Sequence, residues 1–109
     1  MPKIVIDTNI LFRLFKKNGP VRELSKYLTL YAPAHALFEL YEKQNRIIEK
    51  LKINESDFFK IFFSLRHVIE FVPETDYIDK LQEAYEIAKN FDPKDTPFIA
   101  LALKLNIPI

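Results

Sequence analysis

Cysteine is absent from the 109-residue chain, and with it go disulfides, zinc fingers, thiol nucleophiles and iron–sulfur clusters. Glycine occurs once, at Gly19, against a usual share of about 7%. A Walker loop and a dinucleotide-binding fingerprint both need several glycines for close approach to phosphate, so both are excluded. Long apolar runs are missing as well. None approaches the ~18–20 residues that cross a bilayer, and no signal peptide precedes the first apolar stretch; the expectation is a cytoplasmic protein with no membrane partner. Histidine occurs only at His35 and His67, without metal-ligand spacing, and each is expected to be a half-buried structural residue. Neither sign of charge dominates: 16 basic and 15 acidic side chains leave a net +1, which does not announce a nucleic-acid binder. Arg13, Lys16, Lys17, Arg22 and Lys26 crowd one stretch and read as a solvated charged face. Whatever chemistry the chain performs is left to carboxylates.

What is present suits one compact domain spanning residues 1–109: 49% of the residues are apolar and 28% charged, enough for a single core. Lys3 to Asp7 reads as a short buried strand, β-branched and closed by a helix-start signal. Thr8 to Lys17 is expected to be helical, with Ile10, Leu11, Leu14 and Phe15 on one face, until Asn18-Gly19-Pro20 breaks it. A short helix over Val21–Leu28 and a strand over Thr29–Ala32 follow. A long helix is expected from Ala34 to Lys52, then a helix capped by the Asn54–Asp57 cluster, then a strand over His67–Val72 closed by Pro73. Thr75-Asp76 opens a helix through Lys89, Asp92-Pro93 starts the last one to Leu105, and Ile107-Pro108-Ile109 looks like the first step of a fourth strand. Strands alternating with helices argue an α/β fold with a parallel sheet. The stretch Phe58–Phe63 is apolar almost all round, so it is buried or part of an interface.

Three acids stand where chemistry could collect. Asp7 ends the first strand, and ligands in open α/β sheets gather outside the carboxyl ends of the strands. It reads equally well as a helix cap, contributing about 1 kcal/mol, or as a metal ligand with Asn9 beside it. Glu39 lies early in the helix after the second strand, on a wheel position opposite Leu37, Leu40 and Ile48, where solvent would also explain it. In Asp92-Pro93-Lys94-Asp95-Thr96-Pro97-Phe98-Ile99, Asp92 suits the N-cap and Pro93 the first helical position. Asp95 is less well explained by capping, since the residues one turn on belong to the core. Should Asp7, Glu39 and Asp95 converge, electrostatics demands a cation: two carboxylates ~4 Å apart repel by about 4 kcal/mol at an effective dielectric of ~20. Oxygen-only ligation favours Mg²⁺ or Mn²⁺ over zinc.

Together, Ile6-Asp7-Thr8-Asn9-Ile10-Leu11, Ala36-Leu37-Phe38-Glu39-Leu40 and Asp92-Pro93-Lys94-Asp95-Thr96-Pro97-Phe98-Ile99-Ala100-Leu101-Ala102 resemble the PIN domain, in order and spacing, along essentially the whole chain. That resemblance implies a Rossmann-like three-layer α/β/α sandwich with a short parallel sheet. It also implies a Mg²⁺- or Mn²⁺-dependent endoribonuclease of the kind found as toxins in toxin–antitoxin pairs. By the same resemblance Asp7, Glu39 and Asp95 bind metal at the catalytic centre, Asp92 is an accessory metal residue, and Thr8 and Asn9 support Asp7. RNA as substrate, a homodimer and an antitoxin protein are the partners it implies. Family members usually continue past the fourth strand into a further acidic motif and a fifth strand. The expectation is therefore a C-terminally incomplete sandwich, with one acid missing and the edge of the first strand open to pairing.

Two other readings compete. A PIN-like module without turnover would keep the fold and bind RNA or protein. A phosphoaspartyl enzyme also begins with a strand-end aspartate, but dehalogenase-type phosphatases place a second Asp two positions on, where this chain has Asn9.

Overall fold

The structure, a computed structural model, describes residues 2–13, 23 and 25–109. The expected break at Asn18-Gly19-Pro20, the helix from Val21 in its first half, and Lys16, Lys17 and Arg22 of the basic stretch lie outside the described residues.

Strand β1 (Lys3–Val5) leads through Asp7 into helix α1 (Thr8–Arg13). Strand β2 (Thr29–Pro33) follows, then α2 (Ala34–Glu42), α3 (Gln44–Leu51) and α4 (Glu55–Val68). Strand β3 (Ile69–Val72) precedes α5 (Glu74–Tyr77), a 3₁₀ turn (Ile78–Lys80), α6 (Leu81–Ala88), a second 3₁₀ turn (Pro93–Asp95) and α7 (Thr96–Leu105). Among the described residues the sheet has the order β1-β2-β3. All pairs are parallel, with Val5 opposite Tyr31 and Ala32 opposite Phe71. The Val5 N–H, on the free side of β1, donates to the Pro108 carbonyl at 2.9 Å. The terminal segment thus begins to pair there, although no strand is assigned over Ile107–Ile109.

Right-handed crossovers put the helices between β1 and β3 on one face of the sheet. After β3 the chain reverses its direction of travel and returns to the opposite side of β1, which puts the later helices on the other face. Helix α7 packs against β1 and β2, while α2 packs against β2 and β3. This is the expected α/β/α layering, with more helix than sheet.

Apolar positions at strand and helix periods close one core. Val5, Leu11, Leu30, Leu40, Phe58, Tyr77 and Leu101 are all fully buried in it. The aromatic helix divides: Phe58 and Phe62 are buried, whereas Phe63 is 54% exposed.

The structure corrects several expected boundaries. The single helix over 34–52 is two, bent at Lys43 (φ −95°, ψ 15°). No glycine or proline marks the bend; Glu42–Arg46 is a run of five polar residues, so that turn has no apolar anchor to hold it straight. Helix α4 continues to Val68, two residues into the expected strand, because no breaker separates the two elements. The expected helix over 75–89 opens as a short turn after Pro73 and passes through 3₁₀ geometry before α6. Both histidines are exposed rather than half-buried. No helix among the described residues is long and apolar enough to cross a membrane.

Candidate active site

Asp7 stands at the C-terminal tip of β1, beside the place where the sheet's order reverses, which is where open α/β sheets form their crevice. Its position is fixed from both sides. The Ile6 N–H donates to the Tyr31 carbonyl at 2.9 Å, tying the strand end to β2. The Ile10 N–H donates to Asp7 Oδ1 at 3.0 Å, and the Leu11 N–H to the Asp7 carbonyl at 3.1 Å, so Asp7 caps α1. Capping engages one carboxylate oxygen and leaves acceptor capacity on the other. The two readings of Asp7 are therefore compatible.

Asp95 arrives from the far end of the sequence. Helix α7 leads into the segment beside β1, and a crossover helix runs antiparallel to its strands, so its N-terminus stands at their C-terminal ends. The Asp92 side chain caps the 3₁₀ turn by accepting from the Lys94 N–H at 3.0 Å, and the Thr96 hydroxyl donates to the Pro93 carbonyl at 2.6 Å. Asp95 keeps an exposed surface. Its carboxyl is nonetheless pushed above the ordinary aspartate range, first by partial desolvation, then by the negative charges of Asp92 and Asp7. A helix N-terminus alone would pull it down. Desolvation and two like charges together outweigh the dipole, and Asp7 is within electrostatic reach as one of them.

Glu39 is half-buried and already partnered. Its Oε1 lies 2.8 Å from His35 Nε2 and its Oε2 lies 3.5 Å from Lys43 Nζ, both at i±4 positions. The bend at Lys43 turns that ammonium back toward α2. Among the described residues no three His, Cys, Asp or Glu side chains are grouped so as to hold a metal ion. Asp95 thus lies within electrostatic reach of Asp7, and among the described residues Glu39 belongs to no metal-holding group with them. Thr8 is half-buried, and Asn9 is exposed.

Beside this end of the sheet runs a cleft of about 420 Å³ between α1 and α3, lined by Asn9, Phe12, Arg13, Lys43, Arg46, Ile47, Lys50 and Leu51. Lys43 Nζ stands 5.9 Å from the Phe12 ring centre. Lys43 and Asn9 belong to both places: one touches Glu39, the other follows Asp7 by two residues. Sequence reasoning missed this wall. The signal was present, since Lys43, Arg46 and Lys50 fall at i, i+3 and i+7, one face of a helix.

A family model described as PIN domain matches residues 5–109. No curated protein and no solved structure matches the chain.

Proposed function

The chain belongs to the PIN-domain family, and on that premise we propose that it is a Mg²⁺- or Mn²⁺-dependent endoribonuclease of the toxin–antitoxin type, hydrolysing RNA phosphodiester bonds. Asp7, Glu39 and Asp95 are the proposed metal-binding carboxylates, with Asp92 accessory and Thr8 and Asn9 holding Asp7 in place. One observation carries the proposal. Asp7 ends the first strand and Asp95 opens the helix packed on it, and Asp95 holds its proton more tightly through desolvation and the negative charges of Asp92 and Asp7.

The donor set fits a hard divalent cation. It is all oxygen, and Mg²⁺ is commonly held by only one or two carboxylates, with waters and substrate phosphates completing its shell. Such an ion supplies an acidified water and charge stabilisation at the leaving oxygen. The chain's own groups supply position. Asp7 is locked by the α1 cap and the β2 ladder, Asp95 by the Asp92–Pro93 turn, and Glu39 is oriented by His35 and Lys43.

Asp7→Asn is the informative substitution, because a carboxamide oxygen still caps α1 while the charge is lost. Incubating labelled single-stranded RNA with Mn²⁺ should show cleavage by the wild type and a fall of about a hundred-fold or more in the variant, corresponding to the several kcal/mol that ion-based charge stabilisation supplies. Equal cleavage by both proteins would remove the enzyme. A second reading, a module that binds RNA or protein without turnover, is favoured by the lack of a three-acid group among the described residues. Metal-independent binding with no cleavage by the wild type would select it.

The same proposal includes a homodimer and an antitoxin protein as partners. Phe38 (63% exposed), Tyr41 and Phe63 form apolar surface on neighbouring helices α2 and α4, of a kind that self-association would cover. Sedimentation showing only monomer at high concentration would count against the dimer.

A further inference from the structure

We propose that the cleft between α1 and α3 is the track of a single RNA strand, with Arg13, Arg46 and Lys50 holding successive phosphates over an apolar floor of Phe12, Ile47 and Leu51. This rests on the nuclease reading for its substrate class, but its evidence is separate.

The walls carry four cations, Arg13, Lys43, Arg46 and Lys50, and no acid. Lys43 is engaged by Glu39. Arg13, Arg46 and Lys50 make no ion pair among the described residues, and the residues outside that set, 1, 14–22 and 24, include no Asp or Glu that could neutralise them. Elsewhere Lys26, Lys80, Lys89 and Lys104 are each paired with a carboxylate, Glu23, Glu83, Glu86 and Asp79, and the other unpaired cations outside the cleft do not share its walls. Three unbalanced cations on facing helices are therefore a local field that overall charge conceals, and such fields concentrate polyanions.

The floor selects the form of the polyanion. An unpaired strand presents phosphates on one side and apolar base faces on the other, and grooves that track single strands combine a basic rim with apolar or aromatic surface. A duplex hides its base faces in the stack and offers none to an apolar floor. Direction follows from the shared border. A strand lying over Arg46 and Lys50 passes Lys43 and Asn9 and arrives at Glu39 and Asp7.

The test is anisotropy of a fluorescent 12-nucleotide oligouridylate binding the full chain in EDTA, titrated over a range of KCl, so that neither metal nor cleavage enters. The double variant Arg46→Gln/Lys50→Gln should raise Kd by about ten-fold or more and flatten the log Kd–log salt slope by roughly 1.4, at ~0.7 for each single-strand phosphate that no longer meets a cation. Lys60→Gln/Arg66→Gln, two exposed cations on α4 without ion-pair partners among the described residues, should leave both unchanged. An unaltered Kd and slope in the cleft variant overturns the proposal. So does an equal loss in the α4 variant, which would mean diffuse charge, or binding of a 12-base-pair duplex or of poly-glutamate as tight as the single strand. Asp7→Asn cleaving like the wild type would remove the nuclease while the cleft variant still reported on binding; the two failures are distinguishable.

Discussion

Asp7 shows how one side chain serves both fold and site. Its Oδ1 caps α1, so Asp7→Ala should cost about 1 kcal/mol in urea unfolding, whereas Asp7→Asn should leave stability near that of the wild type. Asp95 makes a prediction about pH. Its proton is held more tightly in the folded protein than the ordinary value of 3.8 implies, because of desolvation, Asp92 and Asp7. The folded state therefore binds more protons than the unfolded chain once pH rises above that value, and stability falls through the window in which Asp95 then ionises. At neutral pH without divalent ions, Asp95→Asn should be more stable than the wild type, and the difference should vanish in acid below about pH 3.8. Chemical denaturation in EDTA from pH 3 to 7 reads the sign directly. A wild type that gained relative stability with rising pH would contradict the repulsion. The ion pairs of Glu39 were open to sequence reasoning, since His35 and Lys43 stand four residues to either side of it. That it is not grouped with Asp7 and Asp95 among the described residues was not, because it depends on how β1, α2 and α7 are placed in space.

At the scale of elements, a chain with one glycine must end its helices by other means. Lys52 closes α3 and Asn106 closes α7, each in the left-handed region at φ 55°. Asparagine tolerates that conformation through its short polar side chain, while lysine gains nothing from it. Lys52→Gly should therefore stabilise the protein by about 0.5–1 kcal/mol, the Cβ strain relieved less the extra freedom of the unfolded chain; a lower urea midpoint would show that the lysine side chain contributes something more. The start of α4 was legible because Asn54 is a cap type and lies three residues before Asp57, whose N–H it binds at 2.7 Å. The bend at Lys43 left only a weak mark in the sequence, the polar run Glu42–Arg46, with no glycine or proline to fix the place. The row Lys43–Arg46–Lys50 was readable as one helical face, but only the packing of α1 opposite it makes that face a cleft.

For the whole molecule, the two halves meet through α7. It packs on β1 and β2, touches α6 and the turn before it, and carries Phe98, Ala100 and Leu101, all buried. Leu101→Ala should cost about 2–5 kcal/mol, the usual range for a fully enclosed leucine whose cavity cannot collapse. The loss should appear as one cooperative transition, because sheet and later helices share one core. A separate early transition confined to residues after β3 would show instead that the halves unfold independently.

Local order in this chain followed from composition and period. The lack of cysteine and near-lack of glycine narrowed the chemistry to carboxylates, β-branched runs marked the strands, and Asn54 and Asp92 marked helix starts. The order of three short motifs was enough to place it with the PIN domains. Those properties act over a few residues, so neighbours in the chain suffice to determine them. Only the tertiary structure decided that Asp95 comes within electrostatic reach of Asp7, that Glu39 is not grouped with them among the described residues, and that Arg13, Arg46 and Lys50 share a cleft lined by no acid. Coulombic interactions depend on distance in space, and that distance was set by a chain reversal after β3 that no residue near Asp7 encodes.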